Sequence, residues 1–331
     1  MSKGQEHLRD EGSKSQTMIA GATAGVVSRF CIAPLDVVKI RLQLQTRSHP
    51  QLNPGDKPPI YRSTLSTFRT ILKHEGITAF WKGNIPAEFL YLGYGAVQFT
   101  TYRTTSSFLT SLTLPLPSSA NSLISGSIAG VASTLATYPL DLLRTRFAAQ
   151  GKQKVYTSLA SGIANIYTQE GVKGFFRGLG AGMMSIVPNM GLFFLFYETL
   201  HPPLVDGHPD QRPKSSTHKI LTSLIPGSAH ASAGLLSSIL SKTSIFPLDL
   251  IRKRLQVQGP TRQLYAHGPI MPRYDDGLGI RGTVKEILRR EGVRGLYRGL
   301  GISLVKAAPS SAITMWVYEW VMEGLRRERE T

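Results

Sequence analysis

Residues 34–43 read PLDVVKIRLQ, and the arrangement returns as PLDLLRTR at 139–146 and PLDLIRKRLQ at 247–256. In each copy a proline follows an apolar or small-residue run, an acid stands two residues on, and bases stand three and five residues beyond the acid. The prolines are 105 and 108 residues apart, so a unit of about 100 residues repeats along the chain. A second marker travels with the first: Glu75-Gly76 before Trp81-Lys82-Gly83, Glu170-Gly171 before Phe176-Arg177-Gly178, and Glu291-Gly292 before Tyr297-Arg298-Gly299. Two markers in fixed order, three times over, define three repeats.

Each repeat carries two long apolar stretches. Helices are expected over about Thr17 to Leu44, Asn84 to Leu112, Asn121 to Ala149, Leu179 to His201, Lys219 to Val257 and Leu300 to Gly324. All reach the roughly 20 residues that cross a bilayer. The mean hydropathy of −0.06 would by itself suit a soluble protein, but polar loops separating the apolar stretches pull the average down. Charges inside a span are costly in hydrocarbon and belong against protein or a water-filled cavity, so six amphipathic spans imply a polar interior. GATAG at 21–25 and GSIAG at 126–130 allow close helix packing at matching repeat positions. The expected fold is an all-α membrane protein with six transmembrane helices in three pseudo-threefold repeats.

The organisation read from these patterns is a polar tail over 1–16, repeats over 17–113, 120–201 and 218–324, a linker over 202–217 and a tail over 325–331. Loops are expected over Thr46 to Pro59, near Gly151 and over Gly259 to Gly279. The polar N-terminal stretch has no apolar core, so targeting is expected to be internal. The formal net charge of +17 favours anionic partners, yet no basic and aromatic cluster of a nucleic-acid module occurs. Cys31 is the sole cysteine, which excludes an intramolecular disulfide and a multi-cysteine metal site.

Arg29 precedes Asp36 by seven residues, close to two helical turns, so the two share a face, as do Thr134 with Asp141 and Lys242 with Asp249. Within one copy the acid and the base three residues on would form an ordinary intrahelical pair worth a few tenths of a kcal/mol. Three copies about a pseudo-threefold axis allow each acid to meet the base of the next helix instead. The pairs expected are Asp36 with Arg144, Asp141 with Arg252, and Asp249 with Lys39. Such a ring closes a pathway and, being partly hydrated, re-forms at modest cost. The preceding prolines are expected to kink the helices toward one another.

These residues resemble the mitochondrial carrier family, with its threefold P-x-[DE]-x-x-[KR]-x-[KR] signature, over about Ala20 to Glu319. The resemblance implies a short matrix helix in each repeat, alternating access, no enzymatic activity, no cofactor and a monomer in the mitochondrial inner membrane. It makes the ring a matrix gate braced by Gln43 and Gln256, with Ala148 leaving the third brace absent. A cytoplasmic gate falls on Tyr102, Tyr197, Glu198, Tyr318 and Glu319. The turns at Gly83, Gly178 and Gly299 become cardiolipin-binding, in keeping with the anion affinity of helix N-termini; plain capping is the structural alternative.

By the same resemblance the central contact positions are Leu90, Ser185 with Ile186 beside it, and Lys306. Arg29 and Lys242 add two bases from the odd-numbered spans, so a phosphate or diphosphate would offset the cavity's charge. Tyr91, Tyr94, Asn189 and Met190 lie one to four positions from the contact points and suit a heteroaromatic ring. Glu88 is expected to turn toward a neighbouring helix. Within the family, SRFCIAPLDVVKIRLQLQ at 28–45, KGNIPAEFLY at 82–91 and KAAPSSAITMWVYE at 306–319 look most like members that carry thiamine pyrophosphate; that closer resemblance implies import of this solute into the matrix, with nucleotides or thiamine monophosphate as counter-solutes. A carrier of adenine nucleotides or coenzyme A would use the same bases. A basic membrane-surface protein without transport is a third reading. The GxGxxG match at 277–282 follows no strand and carries no dinucleotide site.

Overall fold

The computed structural model describes residues 14–46, 61, 63–112, 118–205, 229–266, 271–274 and 279–330. Among these the chain is helical, apart from one antiparallel bridge between Gln150 and Tyr265. The long helices of the first two repeats are α1 (Lys14–Leu44), α3 (Asn84–Ser111), α4 (Ser118–Ala149) and α6 (Leu179–Val205). Repeat 3 opens with α7 (Ala229–Gln256); the residues before 229 expected in this helix, and the linker over 206–217, lie outside those described. The last expected span is divided into α9 (Leu300–Val305) and α10 (Ala307–Glu330), broken at Lys306. Pro309 accounts for the break, because its ring clashes with the carbonyl of Val305 four residues earlier and it has no N–H to offer.

Among the described residues, five helical stretches are long and apolar enough to cross a membrane: Gln16–Leu44, Ala120–Ala149, Leu179–Leu200, Gly234–Gln256 and Val293–Arg327. The α3 helix has the length, 28 residues, but carries more polar groups. Its exposed Ile85, Phe89, Leu92 and Phe99 fall at helical spacing on one face, which suits a lipid-facing stripe.

Short helices follow each odd-numbered span: α2 (Thr64–Glu75), α5 (Leu159–Gly174) and α8 (Gly279–Glu291). Ser63 and Ser158 cap the first two, each accepting from the backbone three residues on. Repeat 3's connecting segment is not a plain loop, since Pro260–Leu264 forms a 3-10 turn. Residues 277–278 of the GxGxxG match lie outside those described, and the rest of it opens α8.

The most extensive helix contacts run between repeats, α3 on α4, α6 on α7 and α10 on α1, so the three repeats close into a ring. The α1, α4 and α7 helices each continue through their repeat proline. Pro34 cannot donate to Phe30 O, and Trp81 Nε1 does so instead at 3.1 Å while its ring tilts against Phe30. Phe176 stacks on Tyr138 and Tyr297 on Phe246, each partner standing directly before a repeat proline. The aromatic of the second marker therefore packs against the proline segment of its own repeat.

Candidate transport cavity and gate

Side chains from α1, α4 and α7 form a charged ring. Arg144 reaches Asp36 at 2.5 Å, Arg252 reaches Asp141 at 2.9 Å, and Lys39 reaches Asp249 at 2.9 Å. Gln43 Nε2 donates to Asp249 at 3.2 Å and Gln256 Nε2 to Asp141 at 2.5 Å, while Ala148 has nothing to offer the third pair. The ring's side chains are 11 to 31% exposed. Partial hydration holds such pairs to modest strength.

Two further lysines join the ring. Lys253, the middle base of the RKR run, contacts both oxygens of Asp141 at 2.9 and 3.0 Å. Lys306, expected at the solute-contact position, donates to Asp36 Oδ1. The cavity is therefore not free of acid on the face of its bases: Asp36 already engages one of the three. A single helix pattern does not show this contact, since the two residues lie at opposite ends of the chain.

Beneath the ring sits a second layer, built from the last base of each proline motif and the glutamate of each second marker. Arg41, Arg146 and Arg254 are fully buried. Arg146 forks onto Glu170 at 2.5 and 3.1 Å and donates to the carbonyls of Gln256 and Gln258, both at 2.9 Å. Arg254 does the same to Glu291, at 2.6 and 2.9 Å, and to the carbonyls of Gln43 and Gln45, both at 3.1 Å. Arg41 joins Glu75 at 2.9 Å and the carbonyls of Ala148 and Gln150. Each arginine thus supplies the carbonyls at the C-terminal end of the next repeat's helix, groups that no intrahelical donor reaches. Lys82 and Arg177 approach the same glutamates at 2.6 Å, and Arg298 at 3.7 Å. Burial alone would raise the Glu75 carboxyl, but the Arg41 guanidinium and Lys82 ammonium hold it below the usual carboxylate range.

The glycine turns fit against the neighbouring repeat. Gly83, Gly178 and Gly299 adopt φ of +84°, +80° and +83°. A Cβ on Gly83 would lie 2.6 Å from Arg144 O, and one on Gly178 would lie 3.0 Å from Leu255 Cβ. Left-handed backbone and close approach both require glycine there. Gly83→Ala is expected to cost about 1–3 kcal/mol of stability, read as a lowered unfolding temperature of the purified protein. On Gly299 the nearest atom is the movable Gln43 Cγ at 3.3 Å, so Gly299→Ala should cost less.

Above the ring, a cavity of about 300 Å³ is lined by Tyr94, Ser185, Ile186, Asn189 and Lys242, with the Lys39–Asp249 pair at its edge. Among the described residues Lys242 has no ion-pair partner; the charges of Lys39 and Lys306 repel it, and those of Asp249 and Asp36 attract it. Ser241 Oγ donates to the Asn189 carbonyl at 2.9 Å and to its side chain at 3.1 Å, which fixes the amide's position. Tyr91 is held between two arginines: Arg29 lies 3.1 Å from the ring centre, and Arg144 donates to the hydroxyl at 2.8 Å. Arg29, Glu88 and Tyr91 line a separate space between α1 and α3. Leu90, expected at a central contact position, is 7% exposed. The Met190 side chain lies outside those described.

At the other end of the helices, Tyr197 stacks on Phe193 with ring centres 6.1 Å apart, and Tyr102 is exposed in a space lined by Gln98, Phe99 and Ala129. Tyr318 is half-buried, while Glu198 and Glu319 are exposed and, among the described residues, form no ion pair. Among the described residues the ionic ring is made at one end only.

A family model described as mitochondrial carrier protein matches residues 10–112, 116–207 and 225–329. The chain is similar to a protein of Coccidioides immitis named mitochondrial thiamine pyrophosphate carrier 1, at 54% identity over 330 residues with 98% of each chain covered. A protein of the same name from Aspergillus niger is 56% identical over 322 residues, covering 96% of this chain and 95% of that one. A third, from Botryotinia fuckeliana, is 54% identical over 330 residues, covering 97% and 96%.

Proposed function

Because the chain belongs to the mitochondrial carrier family, we propose that it imports thiamine pyrophosphate across the mitochondrial inner membrane by alternating access. Substrate identity rests on the relatives' names and on one observation: Lys242 stands without an acid partner in a 300 Å³ cavity beside Tyr94, Ser185 and Asn189. A half-buried cation near two like charges is offset by a phosphate through charge-assisted hydrogen bonds. The pyrimidine and thiazolium of the same solute are served by the Tyr94 ring and the Asn189 amide. Arg29 and Tyr91 are assigned to the solute from the separate space that they line between α1 and α3, and Lys306 meets the diphosphate once released from Asp36.

In this reading the ring of Asp36, Lys39, Asp141, Arg144, Asp249 and Arg252 is the matrix gate, with Gln43 and Gln256 as braces. Tyr102, Tyr197, Glu198, Tyr318 and Glu319 close the cytoplasmic side when the matrix gate opens. The turns at Gly83, Gly178 and Gly299 hold cardiolipin headgroups, and the carrier acts as a monomer that exchanges its solute for nucleotides or thiamine monophosphate.

Uptake by liposomes containing the purified chain tests the substrate. Labelled thiamine pyrophosphate should enter, with ATP and coenzyme A competing at least about tenfold more weakly. If ATP or coenzyme A enters and thiamine pyrophosphate neither enters nor competes, the substrate assignment fails. Release of the protein from membranes by alkaline carbonate would contradict spanning altogether.

A further inference from the structure

Two of the three gate pairs have a glutamine beneath them, and the third does not. Asp249–Lys39 has Gln43, Asp141–Arg252 has Gln256, and Asp36–Arg144 has Ala148, whose methyl group donates nothing. Asp36 nevertheless has a second donor, Lys306. That lysine comes from repeat 3 and sits at the break between α9 and α10. Its charge acts on Lys242, which lines the cavity. Lys306 therefore holds the gate at Asp36, and its charge reaches the cavity's own cation.

We infer that Lys306 is a solute-releasable brace: it holds the Asp36–Arg144 pair closed in the empty carrier, and an anionic solute in the cavity draws it away. Gln43 and Gln256 are neutral and compete poorly for a phosphate, whereas an ammonium forms a charge-assisted bond with either carboxylate or phosphate. Loss of one of two cations from Asp36 leaves a single unbraced pair, so the gate would yield first at repeat 1. Binding in the cavity is thereby linked to opening at the matrix end through one side chain, a positioning residue for the gate. The release half of this inference rests on the cavity being the solute site; the bracing half does not.

Zero-length cross-linking of the full-length wild-type carrier in liposomes tests both halves. A water-soluble carbodiimide joins a carboxylate to an amine only at contact distance, and mass spectrometry identifies the linked residues. Without solute an Asp36–Lys306 link should form, and Asp36→Asn should abolish it. Saturating thiamine pyrophosphate should suppress this link at least tenfold relative to the Glu75–Lys82 link, which lies outside the gate and corrects for reagent consumed by phosphate. ATP, coenzyme A and inorganic pyrophosphate serve as parallel arms. Suppression by ATP or coenzyme A but not by thiamine pyrophosphate would leave the brace standing and remove the proposed substrate. Absence of the link in the empty carrier, or its persistence with every anion, would overturn the brace.

Discussion

Lys242→Ala should lower the uptake of thiamine pyrophosphate by about 10- to 100-fold while leaving the protein inserted and folded. A hydrogen bond to a charged group contributes roughly 1.5–3 kcal/mol, and each 1.4 kcal/mol is a factor of about ten. The effect on the empty protein should be small, because Lys242 has no ion-pair partner among the described residues and the repulsion of Lys39 and Lys306 is opposed by the attraction of Asp249 and Asp36. Its removal breaks no ion pair, and Asp249 and Asp36 keep their own basic partners. Uptake assays with the variant, paired with its unfolding temperature without solute, separate a binding role from a structural one. Near-normal uptake would take Lys242 out of the solute site, and a large drop in unfolding temperature would mean that it holds the fold.

Glu291→Ala should be among the most destabilising single changes in the buried arginine layer. Its carboxylate takes both arms of Arg254, a side chain with no exposure at all, and Arg298 stands 3.7 Å away. Without it a buried guanidinium keeps only the Gln43 and Gln45 carbonyls and the Tyr274 hydroxyl. Breaking a buried pair by removing one partner costs roughly 3–5 kcal/mol. In a chain of this size that corresponds to a fall of about 10 °C in unfolding temperature. Glu286→Ala is the matched control, because its pair with Arg290 is exposed and four residues apart on one helix. That change should cost well under about 1 kcal/mol. Equal effects of the two substitutions would mean that the buried layer does not join the repeats.

The repeat and its ring of acids and bases were legible because both belong to one motif, and threefold recurrence brings equivalent residues together. Lys306 was not legible as a partner of Asp36, because a seven-residue spacing reports a shared face within one helix and says nothing about a helix 270 residues away. Lys253 was overlooked although the RKR run displays it, since only the bases common to all three copies were weighed. The buried arginine layer left a signal that could have been used: the second base of each motif and one glutamate recur together, 34, 24 and 37 residues apart. The division at Lys306 follows from Pro309, whose missing N–H interrupts the helix that the apolar stretch from Leu300 to Gly324 predicts.

The central claim is that the cations of the cavity recognise the diphosphate of thiamine pyrophosphate. The change in unfolding temperature of the purified full-length carrier with thiamine pyrophosphate, against thiamine, tests it most directly. A ligand at 100 times its dissociation constant stabilises by about 2.7 kcal/mol. Thiamine pyrophosphate should therefore raise the unfolding temperature by several degrees, thiamine should not, and the rise should vanish in Lys242→Ala. An equal rise with thiamine, or no rise with thiamine pyrophosphate, would contradict the claim.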